Sequence, residues 1–187
     1  MKCIAIFASG AGSNAQKIID YFSNHKSINV ALVVSNNPSA GVLSVAQAHH
    51  IPSHIINKKM IVDEIETLRI LAQYQIEFIV LAGFMIQIPA YLSNKFEHKI
   101  LNIHPALLPK YGGKGMYGNH VHEAVFQNKE KESGISIHFV NEHYDEGQIV
   151  FQKSVDITLC KNPEEIAKEV LKLEHEYYAK VIEKELM

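Results

Sequence analysis

Short apolar runs take turns with segments of helical period along the first half of the chain, and this alternation limits the fold more than any other feature. Cys3–Ala8, Val30–Val34 and Phe78–Leu81 are apolar runs of strand length, whereas Asn14–Phe22, Val42–Ala48 and Ile61–Tyr74 space their apolar residues by three and four. A strand without a polar face has to be covered on both sides. The order therefore implies βαβ units and a Rossmann-like α/β fold, a mostly parallel sheet with helices on both faces. A further run, Ile100–Ile103, leads into His104-Pro105, and the residue before a proline is held extended, so the strand should stay straight through His104. Ser136–Val140 and Gln148–Val155, joined by the polar Asn141–Gly147, read as an antiparallel hairpin at the C-terminal edge of the sheet. From Pro163 to about Lys184 the spacing of Ile166, Val170, Leu173, Tyr177 and Val181 predicts a last helix that packs back on the core. Asn162 and Glu165 have the form of a capping box at its start.

With 187 residues, 47% of them hydrophobic, there is material for one sizeable core, and a single domain over 1–187 is expected. The formal charge is -2 and the basic residues are scattered, so no nucleic-acid partner is expected; a small anionic metabolite needs only a local site. Cys3 and Cys160 stand alone, without metal-site spacing or disulfide density, which suits a reducing compartment and a cytoplasmic location. The apolar start, about six residues long before the glycines, reads as a buried strand rather than a signal core or a membrane span of ~20 residues, and no membrane partner is expected.

Three places carry chemistry. In Asn102-Ile103-His104 the amide and the imidazole lie at i and i+2, so on a strand they share one side while Ile103 enters the opposite layer. At the carboxyl end of a parallel strand they would stand where open α/β sheets bind ligands, although a satisfied polar pair at a strand end has the same pattern. Asp145 lies in the Asn141–Gly147 connection, whose glycine would permit a close backbone approach. Taken alone it is an ordinary hairpin carboxylate; folded over His104, it would raise that histidine's pKa and hold it protonated. Finally, Ser9-Gly10-Ala11-Gly12-Ser13-Asn14 follows the first strand, with two glycines for a tight turn and a hydroxyl and an amide where a helix N-cap belongs. Such a turn offers backbone N–H groups to an anion. Gly10, Gly12 and Ala15 also fit a dinucleotide fingerprint, but Ser35-Asn36-Asn37-Pro38 stands where that motif wants an acid, so a single phosphate held by Gly12, Ser13 and Asn14 is preferred. The eleven histidines include no metal motif, and no metal is expected. Gly83, interrupting the apolar Leu81–Ile88, suggests that part of that segment lines a cleft.

Taken together, the blocks SGAGSN (Ser9–Asn14), LAGFM (Leu81–Met85), LNIHPALLPKY (Leu101–Tyr111) and SGISIHFVNEHYDEG (Ser133–Gly147) resemble the phosphoribosylglycinamide formyltransferase family of the formyltransferase superfamily, in order and in approximate spacing. The resemblance runs from Lys2 to about Tyr178. The third block is specific to the superfamily; the SGAGSN turn and the short length point within it. The resemblance implies a formyl group carried from 10-formyltetrahydrofolate, as co-substrate, to the amine of glycinamide ribonucleotide in purine biosynthesis. It implies Asn102, His104 and Asp145 as the catalytic group. Gly12, Ser13, Asn14, Leu171, Lys172, Leu173 and Glu174 would hold the ribonucleotide, with Glu174 on the ribose hydroxyls. Met85, Ile86, Gln87, Ile88, Asn102 and Asn141, Glu142, His143, Tyr144 and Asp145 would contact the folate. On this pattern residues 1–100 form a phosphate-binding half and 101–187 a catalytic and folate half, in a monomer or a homodimer.

Two departures stand out. Many relatives carry an arginine where this chain has Ile86, so a cation for the folate tail would have to come from elsewhere, with Lys58 or Lys59 as candidates. The stretch Gly113–Gly118 (GKGMYG) is also longer than its counterpart in many members. In mechanism, donors from Asn102 and a protonated His104 would meet the oxyanion, and His104 with Asp145 would move the proton from attacking to departing nitrogen. A formyltransferase acting on an amino-sugar nucleotide, or a nucleotide-binding module without activity, are the other readings.

Overall fold

The computed structural model describes Met1–Met187. In chain order the elements are β1 (Lys2–Phe7), α1 (Ser13–Phe22), β2 (Ile28–Ser35), α2 (Gly41–Ala48), β3 (Ser53–Ile55), α3 (Glu64–Gln73), β4 (Ile76–Leu81), α4 (Ala90–Lys95) and β5 (Ile100–His104). After them come α5 (Asn119–Gln127), β6 (Glu132–Phe139), β7 (Ile149–Asp156) and α6 (Pro163–Leu186). One 7-stranded sheet holds them in the order β3-β2-β1-β4-β5-β6-β7. The pairs from β3 to β5 are parallel, and β6 and β7 join antiparallel. This is the mixed sheet that the alternation and the late hairpin imply.

The strands are apolar throughout because both faces are covered. In β1, Ile4 and Ile6 belong to a core shared with α1, α2, α5 and α6, whereas Ala5 and Phe7 belong to a second core under α3 and α4. The period-two alternation thus separates two buried layers rather than core from solvent. In β5, Leu101 and Ile103 enter the first layer, which leaves Asn102 and His104 on the other side.

The chain order reverses between β1 and β4, the place where the two turns leaving a sheet part and open a crevice. The turns are tied across it: the Ser9 amide donates to the Gly83 carbonyl at 3.1 Å, and the Met85 amide donates to the Ser9 hydroxyl at 2.8 Å. From the other side the long α6 is fixed by Tyr178, whose buried hydroxyl shares its proton between the carbonyls of Leu81, 2.9 Å away, and Leu101, 3.1 Å away. The ends of β4 and β5 are thereby held to one helix. At the start of α6, Asn162 caps the Glu165 amide at 2.9 Å, and the Glu165 carboxylate accepts from the Lys161 amide at 2.7 Å, one residue before the partner a strict capping box would use. No helix is long and apolar enough to cross a membrane.

Candidate active site at the sheet's switch point

A cleft of about 660 Å³ opens at the carboxyl ends of β1, β4 and β5. One wall is the turn Gly10–Asn14 with Leu171 and Glu174 of α6, and another is Leu81–Ile88 with Val140–Asp145. Between them lie Asn102, His104, His138 and the glycine-rich Gly113–Gly118.

At the first wall Gly12 has φ 86° and stands at the N-cap of α1. A Cβ there would lie 2.8 Å from the Val42 Cα, so both backbone angle and space demand glycine. Contrary to expectation, neither Ser13 nor Asn14 caps the helix: both are its first helical residues, and no side chain caps it. The opening N–H groups of α1 are therefore left without a side-chain partner at the edge of the cleft, which favours an anion. The Asn14 amide instead donates to Glu174, at 2.5 Å, while its Oδ1 is buried without a partner. Burial pushes the Glu174 carboxyl up, and the Asn14 bond pulls it partly back.

Helical geometry divides the run expected on α6. Leu171 and Glu174, three residues apart, share the face lining the cleft. Lys172 turns to solvent and pairs with Glu169 at 2.6 Å, and Leu173 packs on the core. The second wall carries Met85 and Tyr144, exposed apolar side chains suited to a flat ring, and Gln87 bridges its two segments by donating to the Glu142 carbonyl at 3.4 Å. Lys58 and Lys59 lie off the cleft; the one lysine or arginine lining it is Lys114.

The centre is built by strand register. Antiparallel pairing sets Asn102 opposite His138, and the Asn102 Nδ2 lies 3.2 Å from the His138 Nε2. The Asp145 carboxylate sits between two histidines, with Oδ2 3.6 Å from the His104 Nδ1 and Oδ1 3.5 Å from the His138 Nε2. Two features bring it there. Asp145 has φ 57°, a left-handed angle that aspartate tolerates better than most residues. Gly147 passes so near the Phe139 carbonyl that a Cβ would lie 1.7 Å from the oxygen.

The segment after β5 completes the group. Asp145 Oδ2 accepts from the Gly113 amide at 3.0 Å, and the His104 Nε2 donates to the Tyr111 carbonyl at 2.7 Å. That bond puts the proton of the neutral ring on Nε2 and leaves Nδ1 facing Asp145. His104 is 3% exposed. Burial pulls its pKa below the ordinary value, outweighing the Asp145 charge that raises it. This reverses the direction expected from the sequence: the ring rests neutral, because desolvation exceeds the attraction of a carboxylate 3.6 Å away. Burial also raises Asp145, but the His138 hydrogen bond, the His104 charge and the Gly113 amide together hold it low.

The formyl transferase family model matches residues 2–182. The chain belongs to the formyl transferase family. Among curated formyl transferases it is 42% identical over 188 residues to the chloroplastic phosphoribosylglycinamide formyltransferase of Arabidopsis thaliana, covering 97% of this chain and 64% of that one. It is 36% identical over 190 residues to the Bacillus subtilis phosphoribosylglycinamide formyltransferase, covering 97% and 93%. The chain thus spans less than two thirds of the plant protein and nearly all of the bacterial one. A solved glycinamide ribonucleotide transformylase 1 from Geobacillus kaustophilus superposes with a TM-score of 0.90 at 34% identity, covering 100% of both chains.

His138, 2% exposed, is a central residue for which the sequence suggested only a metal-ligand role, without a motif to support it. In Ile135-Ser136-Ile137-His138 the polar residues recur at period two inside an apolar strand, which marks a face. Only the pairing register shows that this face meets Asn102.

Proposed function

We propose that the chain carries the formyl group of 10-formyltetrahydrofolate to the amine of glycinamide ribonucleotide, a step of purine biosynthesis, with Asn102, His104 and Asp145 as the catalytic group. The ribonucleotide phosphate meets the first N–H groups of α1 at Gly12, Ser13 and Asn14. Glu174 and the unpartnered Asn14 Oδ1 take ribose hydroxyls. The folate lies along Met85–Ile88 and Asn141–Asp145, so its reactive nitrogen and the amine converge beside Asn102. Residues 1–187 act as one domain in this reading, because each end of the cleft draws on both halves of the chain.

As the amine attacks the formyl carbon, negative charge grows on the formyl oxygen, and the Asn102 carboxamide is placed to donate to it. The attacking nitrogen must lose a proton, and His104, neutral at rest, takes it on Nδ1. The imidazolium then lies against the Asp145 carboxylate, which stabilises it, and the same proton passes to the folate nitrogen as the carbon–nitrogen bond breaks. His138 keeps the Asn102 amide and the Asp145 carboxylate in place.

The observation that carries this reading is the Asp145 carboxylate 3.6 Å from the His104 Nδ1 at a cleft whose opposite walls suit a phosphate and a flat ring. The test is tetrahydrofolate release from 10-formyltetrahydrofolate, with glycinamide ribonucleotide or an amino-sugar nucleotide as acceptor. Turnover with the ribonucleotide alone is expected. Turnover only with the sugar amine, or binding without release, would overturn it.

A further inference from the structure

The geometry points to Lys114 as the cation that meets the phosphate of the acceptor, carried over that end of the cleft by the glycine-rich turn. The inference rests on the acceptor reading above and deepens it. Glu142, Asp145 and Glu174 line the cleft, and Lys114 is its one lysine or arginine. A phosphate dianion entering there needs a positive counter-charge, and the start of α1 offers only about half a unit charge. Helix α6 does not provide it: Leu171 on the cleft face has no polar head, and the Lys172 ammonium is engaged by Glu169 at 2.6 Å on the solvent side.

Lys114 is free and well placed for the role. Lys110 pairs with Glu130, Lys172 with Glu169 and Lys184 with Glu185, whereas Lys114 takes part in no salt bridge within the chain. Its neighbour Gly113 is tied to Asp145, and the turn continues into α5, which packs against α6, the helix bearing Glu174. The turn thus runs from the catalytic group to α5 beside the helix of the ribonucleotide wall, and on that course Lys114 is assigned to this wall. Gly113 and Gly115 on either side have φ 91° and 93°, and a Cβ on either would meet nothing within 4 Å. Glycine is needed there for the left-handed backbone, not for room.

The test is steady-state kinetics of the full chain and of Lys114→Ala and Lys114→Arg, with glycinamide ribonucleotide and with the riboside that lacks the phosphate. Lys114→Ala is expected to raise KM for the ribonucleotide about tenfold, as for loss of one charge-assisted contact, with kcat within about threefold. Lys114→Arg should recover most of the loss. Riboside kcat/KM and the KM for 10-formyltetrahydrofolate should be unchanged. An unchanged ribonucleotide KM, an equal loss with the riboside, or a loss confined to the folate would each overturn the assignment, the last by giving Lys114 to the folate carboxylates. If the unaltered chain formylated neither acceptor, the acceptor reading would fail separately. Calorimetric binding of inorganic phosphate, expected to weaken in Lys114→Ala, would still decide the role of the lysine.

Discussion

Replacing Asp145 by asparagine tests the proton relay directly. The amide keeps the size of the side chain and an oxygen for the Gly113 amide, so the loop should stay seated while the charge beside His104 is lost. Two unit charges about 4 Å apart near a protein surface attract by about 4 kcal/mol, and both side chains here are largely buried, at 4% and 12% exposure. If about 3–4 kcal/mol of that acts on the imidazolium formed in the transition state, kcat falls by ~10²–10³. The pH profile supplies the sign. His104 works as a base, so kcat/KM rises with pH through its pKa, which burial sets below the usual 6.5. Without Asp145 the larger opposition to that burial is gone and only the bond to the Tyr111 carbonyl remains, so the acid limb of Asp145→Asn should move to lower pH even as the plateau drops. The assay is tetrahydrofolate release from pH 5 to 8 at saturating co-substrates and at low acceptor. A rate within tenfold of the parent, or an acid limb displaced upward, would refute the neutral-base reasoning.

Gly12→Ala should destabilise the chain by about 1–3 kcal/mol, because the added methyl meets the Val42 backbone at a left-handed angle; thermal unfolding reads the loss, and KM for the ribonucleotide should rise with it. Tyr178→Phe leaves the Leu81 and Leu101 carbonyls without their shared donor. A cost of about 1–2 kcal/mol is expected as a lower urea midpoint at unchanged slope, and a shift too small to resolve would mean that the Tyr178 hydroxyl adds nothing to the hold on α6. Burial lowers the pKa of His122, with the His104 charge adding to the effect. The unfolded chain therefore binds more protons just below pH 6.5, and the stability present above that value drains away as pH falls through the folded pKa. His122→Leu should flatten that part of the melting-temperature profile; an unaltered profile would show that the ring does not contribute.

The apolar runs revealed the sheet because a parallel strand buried on both faces needs an apolar stretch, unbroken in β1, β2 and β4 and interrupted in β5 only by Asn102 before His104. Three elements gave no comparable signal. Ser53–Ile55 is three residues long and Ala90–Lys95 six, too short for a period to show. Asn119–Gln127 starts from Gly118 with no side-chain cap, so no start signal separates it from the glycine-rich stretch. At the site, Asn102 and His104 could be placed on one side of a strand from their spacing, and Gly12 at a turn from its neighbours. The role of His138 depended on strand register, and the ionisation of His104 on the balance between burial and a carboxylate, neither of which is local in sequence. The same holds for Lys172 and Leu173, since a helix shows only the first and fourth of four successive residues to one partner.

The backbone from Tyr111 to Gly113 grips both members of the relay, its carbonyl holding the imidazole and its amide the carboxylate. Residues from Lys114 to Gly118 bond to neither group, and Met116 packs on the core instead. Insertions or deletions there can reshape the mouth of the cleft, and with it the choice of acceptor, while the acid–base machinery keeps its alignment. A shift of the gripping residues themselves would disengage both groups in one movement.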